Sequence, residues 1–385
     1  MSISLPRSVS RPASAGVHGL PLIDLLKVFA AQCIVWHHFA LYGPMGRALA
    51  QRAEAVSEVL VDMALWVVQI FLVVGGFLAA RGSLPAPGVH RPISASELWI
   101  LGWARWRRLA VPALVALLAA VLAAALARWL GDDPDTPAAP TLAQVLAHVF
   151  FLQDLVGLPA LSSGVWYLAI DLQLQWGLLA LLLLRDRLPQ RWRRLATAAA
   201  VVGAVALSLL VWNLDPDLDA WALYFVGAWG LGVLAAWARG ARSPAVARVW
   251  WGWILLLGLL ALWVEPRERV GLAVITALLL AGPWQDAMAR WCWPRVLTGL
   301  SCSSYALFLV HYPVALVVGA MVDRLWPGAV VPALWALGLA WGLSMLAAQA
   351  LHLGVELRWA SPAKSRERVA VAQTALVHGA VPGPR

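Results

Sequence analysis

The residues best suited to chemistry cluster in one apolar stretch near the start of the chain. Between positions 20 and 42 the sequence is mostly hydrophobic, yet it carries Asp24, Lys27, Gln32, His37 and His38. On a helix the eleven-residue step from Lys27 to His38 is three turns with about 20° of residual rotation. The two side chains therefore share a face, with His38 about 16 Å further along the axis. Asp24 lies one turn before Lys27, a spacing that suits an ion pair, whereas His37 is turned about 100° off that face. An imidazole titrates near neutrality and can act as a general base. The same residue could equally serve as a hydrogen-bonding strut between helices, and this stretch alone leaves both readings open.

Further polar groups recur inside other apolar runs. Arg105, Arg107 and Arg108 precede Pro112, and Arg105 and Arg108 fall on one helix face. Such a guanidinium pair fits phosphate groups, or it simply marks the cytoplasmic side of a membrane protein. Asp171 and Gln175 share a face after Trp166-Tyr167-Leu168, an expensive arrangement if it faced lipid. Tyr305 and His311 lie on different faces of a later run and suit either a site or helix packing. His352 and Glu356, spaced i, i+4, read as an ion pair.

These groups need elements that hold them within a bilayer. The chain has 385 residues, 62% hydrophobic and 13% charged, with mean hydropathy +0.75. So few charges cannot cover that much apolar surface in water, and the 24 tryptophans suit the headgroup boundary. The fold class expected is all-α and polytopic, with about ten transmembrane helices of about 20 residues each. They are placed near 20–42, 59–80, 108–130, 164–184, 195–212, 219–238, 246–264, 270–284, 299–321 and 330–355. The apolar but short segment 141–157 is expected to form a re-entrant or interfacial helix.

Basic residues gather in alternate connections, as in Arg185 to Arg194 and Arg239 to Arg248, and only Arg47, Arg52, Arg128, Arg267, Arg269 and Arg324 fall on the other side. Asp132, Asp133, Asp135, Asp215, Asp217 and Asp219 lie on that other side. The alternation predicts both termini in the cytoplasm. It also argues against a nucleic-acid partner, since the net charge of +9 forms no single patch. Cys33, Cys292 and Cys302 lack metal-ligand spacing, so neither a zinc site nor a disulfide is expected. Residues 1–19 read as a disordered cytoplasmic start without a cleavable signal, 20–357 as the membrane domain and 358–385 as a flexible cytoplasmic tail.

Taken in order, the motifs resemble the membrane-bound acyltransferase type 3 family. Asp24-Leu25-Leu26-Lys27 with His38 resembles its opening Asp-Gly-Leu-Arg and a His ten residues after the Arg. Gly75-Gly76-Phe77-Leu78 resembles its Ser-Gly-Phe-Leu turn, and Arg105 to Pro112 its Arg-x-x-Arg segment before a proline. Trp166-Tyr167-Leu168 with Asp171 resembles Trp-Phe/Tyr-Leu with Glu, and Ser304-Tyr305 through His311-Tyr312-Pro313 its closing motif. Lys27 and Asp171 depart from the usual Arg and Glu.

The resemblance implies transfer of an acyl group, most often acetyl, from cytoplasmic acyl-coenzyme A to a hydroxyl of an extracytoplasmic polysaccharide or glycolipid. The place implied is the inner membrane of a bacterium. Acetyl-coenzyme A is then a co-substrate and no metal takes part. His38 is expected to be catalytic, as base or as acyl-carrying nucleophile. Donor or substrate binding is expected of Asp24, Lys27, Arg105, Arg108, Trp166, Asp171, Tyr305 and His311. The rival from another class is a glycan or lipid transporter without acyl transfer. Paired broken helices would mark it, and the sequence does not show them.

Overall fold

A computed structural model describes residues 20–83, 94–290 and 295–359. The expected N-terminal segment 1–19, Cys292 and all but the first two residues of the expected tail lie outside the described residues. Arg358 and Trp359 continue the last helix.

Among the described residues the chain is all-helical. The order is α1 (Pro21–Leu41), α2 (Gly43–Arg52), α3 (Glu54–Ser83), α4 (Ala95–Leu130), α5 (Leu142–Val149), α6 (Val165–Asp186) and α7 (Gln190–Leu210). There follow α8 (Ala222–Arg239), α9 (Pro244–Val264), α10 (Glu268–Ala281), α11 (Trp284–Ala289), α12 (Arg295–Leu325) and α13 (Val330–Leu351), the last running on through a π-turn over His352–Glu356. Nine helices among the described residues are long and apolar enough to cross a membrane. Their outer faces keep Leu118, Leu122, Trp129, Trp263 and Trp335 exposed. That costs nothing in lipid, where apolar side chains are as well solvated as in a protein core. The protein is a polytopic membrane protein.

The run expected to cross over 270–284 becomes α10, only 14 residues long, or about 21 Å of helix. Its ends nevertheless mark both faces of the bundle. Arg267, just before α10, bonds Asn213 beyond the end of α7, while Asp286 on α11 pairs with Arg239 at the end of α8. So α10, the Gly282-Pro283 break and α11 together run the length of α8. Polar partners at both ends allow the break. The short helix expected within 141–157 is α5, opened by a capping box of Thr141 with Gln144. Two features were not foreseen. The connection after the first span folds as α2, and α4 begins at Ala95, capped by Ser94 and Glu97, well before the expected boundary at 108.

Close packing fixes how the elements meet. Without a hydrophobic drive between helices in lipid, small residues let backbones approach. At the crossing of α3 and α8 a Cβ on Gly76 would stand 1.8 Å from the Trp229 carbonyl oxygen, and one on Gly232 1.9 Å from that of Val73. Between α4 and α6, the Trp176 ring lies over Gly102, where a Cβ would be 2.3 Å from it. Gly164, at φ +83°, caps α6 against the Phe308 ring of α12. α1 and α12 run parallel, since Lys27 meets Ser301 and His38 meets His311. Gln349 of α13 bonds Ser303. The start of α1 and the end of α13 thus share one end of the bundle. It is the end of the Arg185–Arg194 connection and is called the basic end below.

Candidate active site

The seam between α1 and α12 holds a column of polar groups that rises from the basic end. At its foot Lys27 Nζ donates to the Ser301 carbonyl at 2.9 Å, and the Ser301 hydroxyl donates to Asp24 Oδ1 at 2.5 Å. The expected Asp24–Lys27 pair is therefore bridged by Ser301, a residue the sequence reading missed. Glu356 and Arg108 also act on the Lys27 charge. Glu356 is bonded to His352 at 2.8 Å, as the i, i+4 spacing indicated. Arg108 is exposed at this end, and no ion pair engages it among the described residues.

One turn deeper, the Tyr305 hydroxyl donates to the Leu109 carbonyl at 2.8 Å. Arg105 does not join Arg108 at the mouth as one guanidinium pair. Its Nη2 bonds Asp171 Oδ2 at 2.8 Å inside the bundle. The Trp176–Gly102 contact sets this register. With α4 and α6 antiparallel, seating Trp176 at Gly102 brings Asp171 opposite Arg105. Trp166, at the start of α6, packs on Phe225 and Tyr167.

The two histidines lie about 15 Å along α12 from Ser301. His38 Nδ1 and His311 Nε2 are 2.7 Å apart, and their rings stack with centroids 4.9 Å apart. His311 is fully buried, with Nδ1 3.0 Å from the Leu307 carbonyl. A carbonyl only accepts, so His311 Nδ1 carries the hydrogen. Neutral His311 then offers Nε2 as an acceptor, and His38 must donate from Nδ1. Its Nε2 is left with a free lone pair, which no described residue bonds. His37 points elsewhere, with Nδ1 3.2 Å from the Leu60 carbonyl of α3. Beyond His38, Tyr42 stacks on its ring and meets Tyr312, leading to the end where Arg47 pairs with Asp133 and Asp135.

So the structure brings together Asp24, Lys27, Arg108, Arg105, Asp171, Tyr305, His38 and His311 along one path, and leaves Trp166 aside. Reading the sequence missed Ser301 and Tyr42. Ser301 alone had a signal, since a parallel helix bearing His311 opposite His38 places a residue ten positions earlier near Lys27. No curated protein and no solved structure matches the chain. A family model described as an acyltransferase domain matches residues 20–350. With the motifs in order and the polar column they form, the chain belongs to the membrane-bound acyltransferase type 3 family.

Proposed function

We propose that this acyltransferase moves an acetyl group from acetyl-coenzyme A at the basic end to a glycan hydroxyl at the far end. The basic end is taken as cytoplasmic by the positive-inside rule, in the inner membrane of a bacterium. Arg108 and Lys27 hold the donor's phosphates, Lys27 being oriented by Ser301 and Asp24. Arg105, Asp171 and Tyr305 shape the passage, and the acceptor enters past Tyr42.

The observation that carries this reading is the chain from His38 Nδ1 through His311 to the Leu307 carbonyl, which sets the tautomer of His38. Its Nε2 lone pair is free, and its Nδ1–H is anchored on a buried histidine that is itself anchored on a carbonyl. The acceptor oxygen adds to the thioester carbonyl carbon while its proton passes to His38 Nε2. The C–S bond then breaks, an ester remains, and coenzyme A leaves as a thiol carrying that proton. While His38 is an imidazolium, its bond to His311 becomes charge-assisted and stronger. If His38 Nε2 attacked the thioester itself, an acyl-imidazole would form first.

The test is consumption of labelled acetyl-coenzyme A by purified protein in liposomes, with glycan acetylation read by mass spectrometry. Turnover that vanishes in H38A supports the assignment, and a wild-type protein that never consumes the donor overturns it in favour of a transporter. A rapid-quench search for acylated His38 separates direct from two-step transfer. Orientation is tested by labelling D217C and Q190C in intact cells. Access from outside at 217 alone fits the assignment, and access at 190 refutes it.

A further inference from the structure

Beside the column two hydrogen-bond donors are buried without partners. They are the indole N–H of Trp229 and the Nε–H of Arg105. Trp229 is only 5% exposed, and an unmade hydrogen bond costs a buried polar group about 1–3 kcal/mol. Room for one methyl-sized group remains beside the Trp229 N–H. The point where a Cβ would sit on Gly75 lies 3.7 Å from Trp229 Nε1 and 3.9 Å from Asp171 Oδ1. Asp171 is in turn the partner of Arg105. The unpaired donors therefore flank one carboxylate next to a methyl-sized gap at Gly75.

The kind of group that fits follows from charge. The Arg105–Asp171 pair is neutral overall, and the Asp171 carboxylate repels an anion, so a phosphate does not belong here. Both open positions are N–H groups, so the occupant must accept hydrogen bonds. It must also be uncharged and narrow enough to pass Gly75. We infer that Trp229, with Arg105, binds a carbonyl oxygen in the pantetheine or thioester portion of the acyl donor. This rests on the acyl-coenzyme A reading above and makes Trp229 a substrate-binding residue. Phosphate recognition at Arg108 and carbonyl recognition at Trp229 are then separate steps on one path.

Two variants test it. W229F keeps an aromatic ring and deletes the donor, with a smaller side chain in its place. G75A adds a methyl at ordinary contact distance from both Trp229 and Asp171, so the helix accepts it while the gap closes. Each is expected to raise the donor KM roughly tenfold, about the worth of one hydrogen bond, with the acceptor KM unchanged. S-acetyl-N-acetylcysteamine, which has the carbonyls but no phosphates, separates the two claims. With this short donor the W229F penalty persists, while that of R108Q disappears. Folded variants with wild-type donor KM would mean that the gap holds only water, which overturns the inference. If W229F fails to insert, G75A decides alone. A wild-type protein that consumes neither donor refutes the functional reading, and this inference falls with it.

Discussion

Two arginines in this molecule, Arg267 buried and Arg105 partly exposed, are treated in opposite ways. Arg267, 8% exposed, closes the end of α7 against the start of α10. Its Nη1 bonds both the carbonyl and the side-chain oxygen of Asn213, and its Nη2 bonds the Leu209 carbonyl at 2.7 Å. Asn213 and Ser208 both donate to the Tyr224 carbonyl, and the Gly227 amide donates back to Ser208. Arg105 instead has one bond to Asp171 and a bare Nε, beside the bare indole of Trp229. A closed network holds helices together. An open one keeps hydrogen-bonding capacity in reserve, and groups that must meet a substrate need that reserve.

The sharpest way to break this contrast is at the adjacent histidines. H38A should abolish transfer, because losing a general base costs about 10²- to 10⁴-fold and losing an acyl carrier costs more. H37A removes a bond to the Leu60 carbonyl and an edge contact with the His38 ring, and should retain most activity. Equal mild losses, measured as acetyl transfer per folded protein, would remove His38 from the chemistry.

The closed network should fail in the other sense. R267A removes the partner of the Leu209 carbonyl and of the Asn213 side-chain oxygen, while Arg269 still reaches the Asn213 carbonyl, and should destabilise the protein by about 3 kcal/mol. The surviving folded fraction should turn over normally. A stable R267A protein with altered KM would mean that saturation does not separate structural from functional polar groups.

A smaller effect is expected at the mouth. R108Q removes an exposed charge that would make charge-assisted contacts with donor phosphates, worth about 1.5–3 kcal/mol when fully formed. Exposure and salt screening reduce that, so the donor KM should rise several-fold and by less at high salt. A KM that does not move, in protein that inserts normally, would leave Arg108 as a topology signal alone.

How much of this could be read from the sequence depends on the kind of interaction. Spans are legible because each needs its own apolar run, and the common face of Lys27 and His38 follows from helical period alone. The seam partner of each was not legible, since the period gives a direction but not what stands there. Ser301 between Asp24 and Lys27 belongs to that class. Arg105 was expected beside Arg108 on sequence spacing, but the side chain goes where Gly102 lets α6 approach. Trp229 gave no signal among 24 tryptophans, because in lipid an interior indole and a lipid-facing one have the same sequence neighbours. The brevity of α10 was hidden for a related reason. The apolar run continues through Gly282-Pro283, and only the Arg267 and Asp286 contacts show how the pass is completed.

The smallest expected effect lies in the connection between α4 and α6, where another closed network can be opened by acid. His148 Nδ1 is 2.7 Å from the Gln144 carbonyl, and the Leu161 amide donates to its Nε2 at 3.0 Å. Both bonds need the neutral ring, protonated on Nδ1. Burial holds the His148 pKa below its usual value, against opposing contributions from the Gln144 carbonyl and Asp154. A histidine whose folded pKa is depressed takes up protons less readily than the unfolded chain does, so stability falls as pH drops below about 6.5. The loss levels off once the folded protein itself protonates. H148A cannot titrate at this position. The difference in Tm between wild type and H148A should therefore be widest above pH 7 and shrink on acidification, while the other histidines contribute equally to both proteins. A difference that stays constant from pH 7.5 to 5 would show that the Leu161 bond does not depend on the neutral ring, and that this loop is held by its apolar contacts.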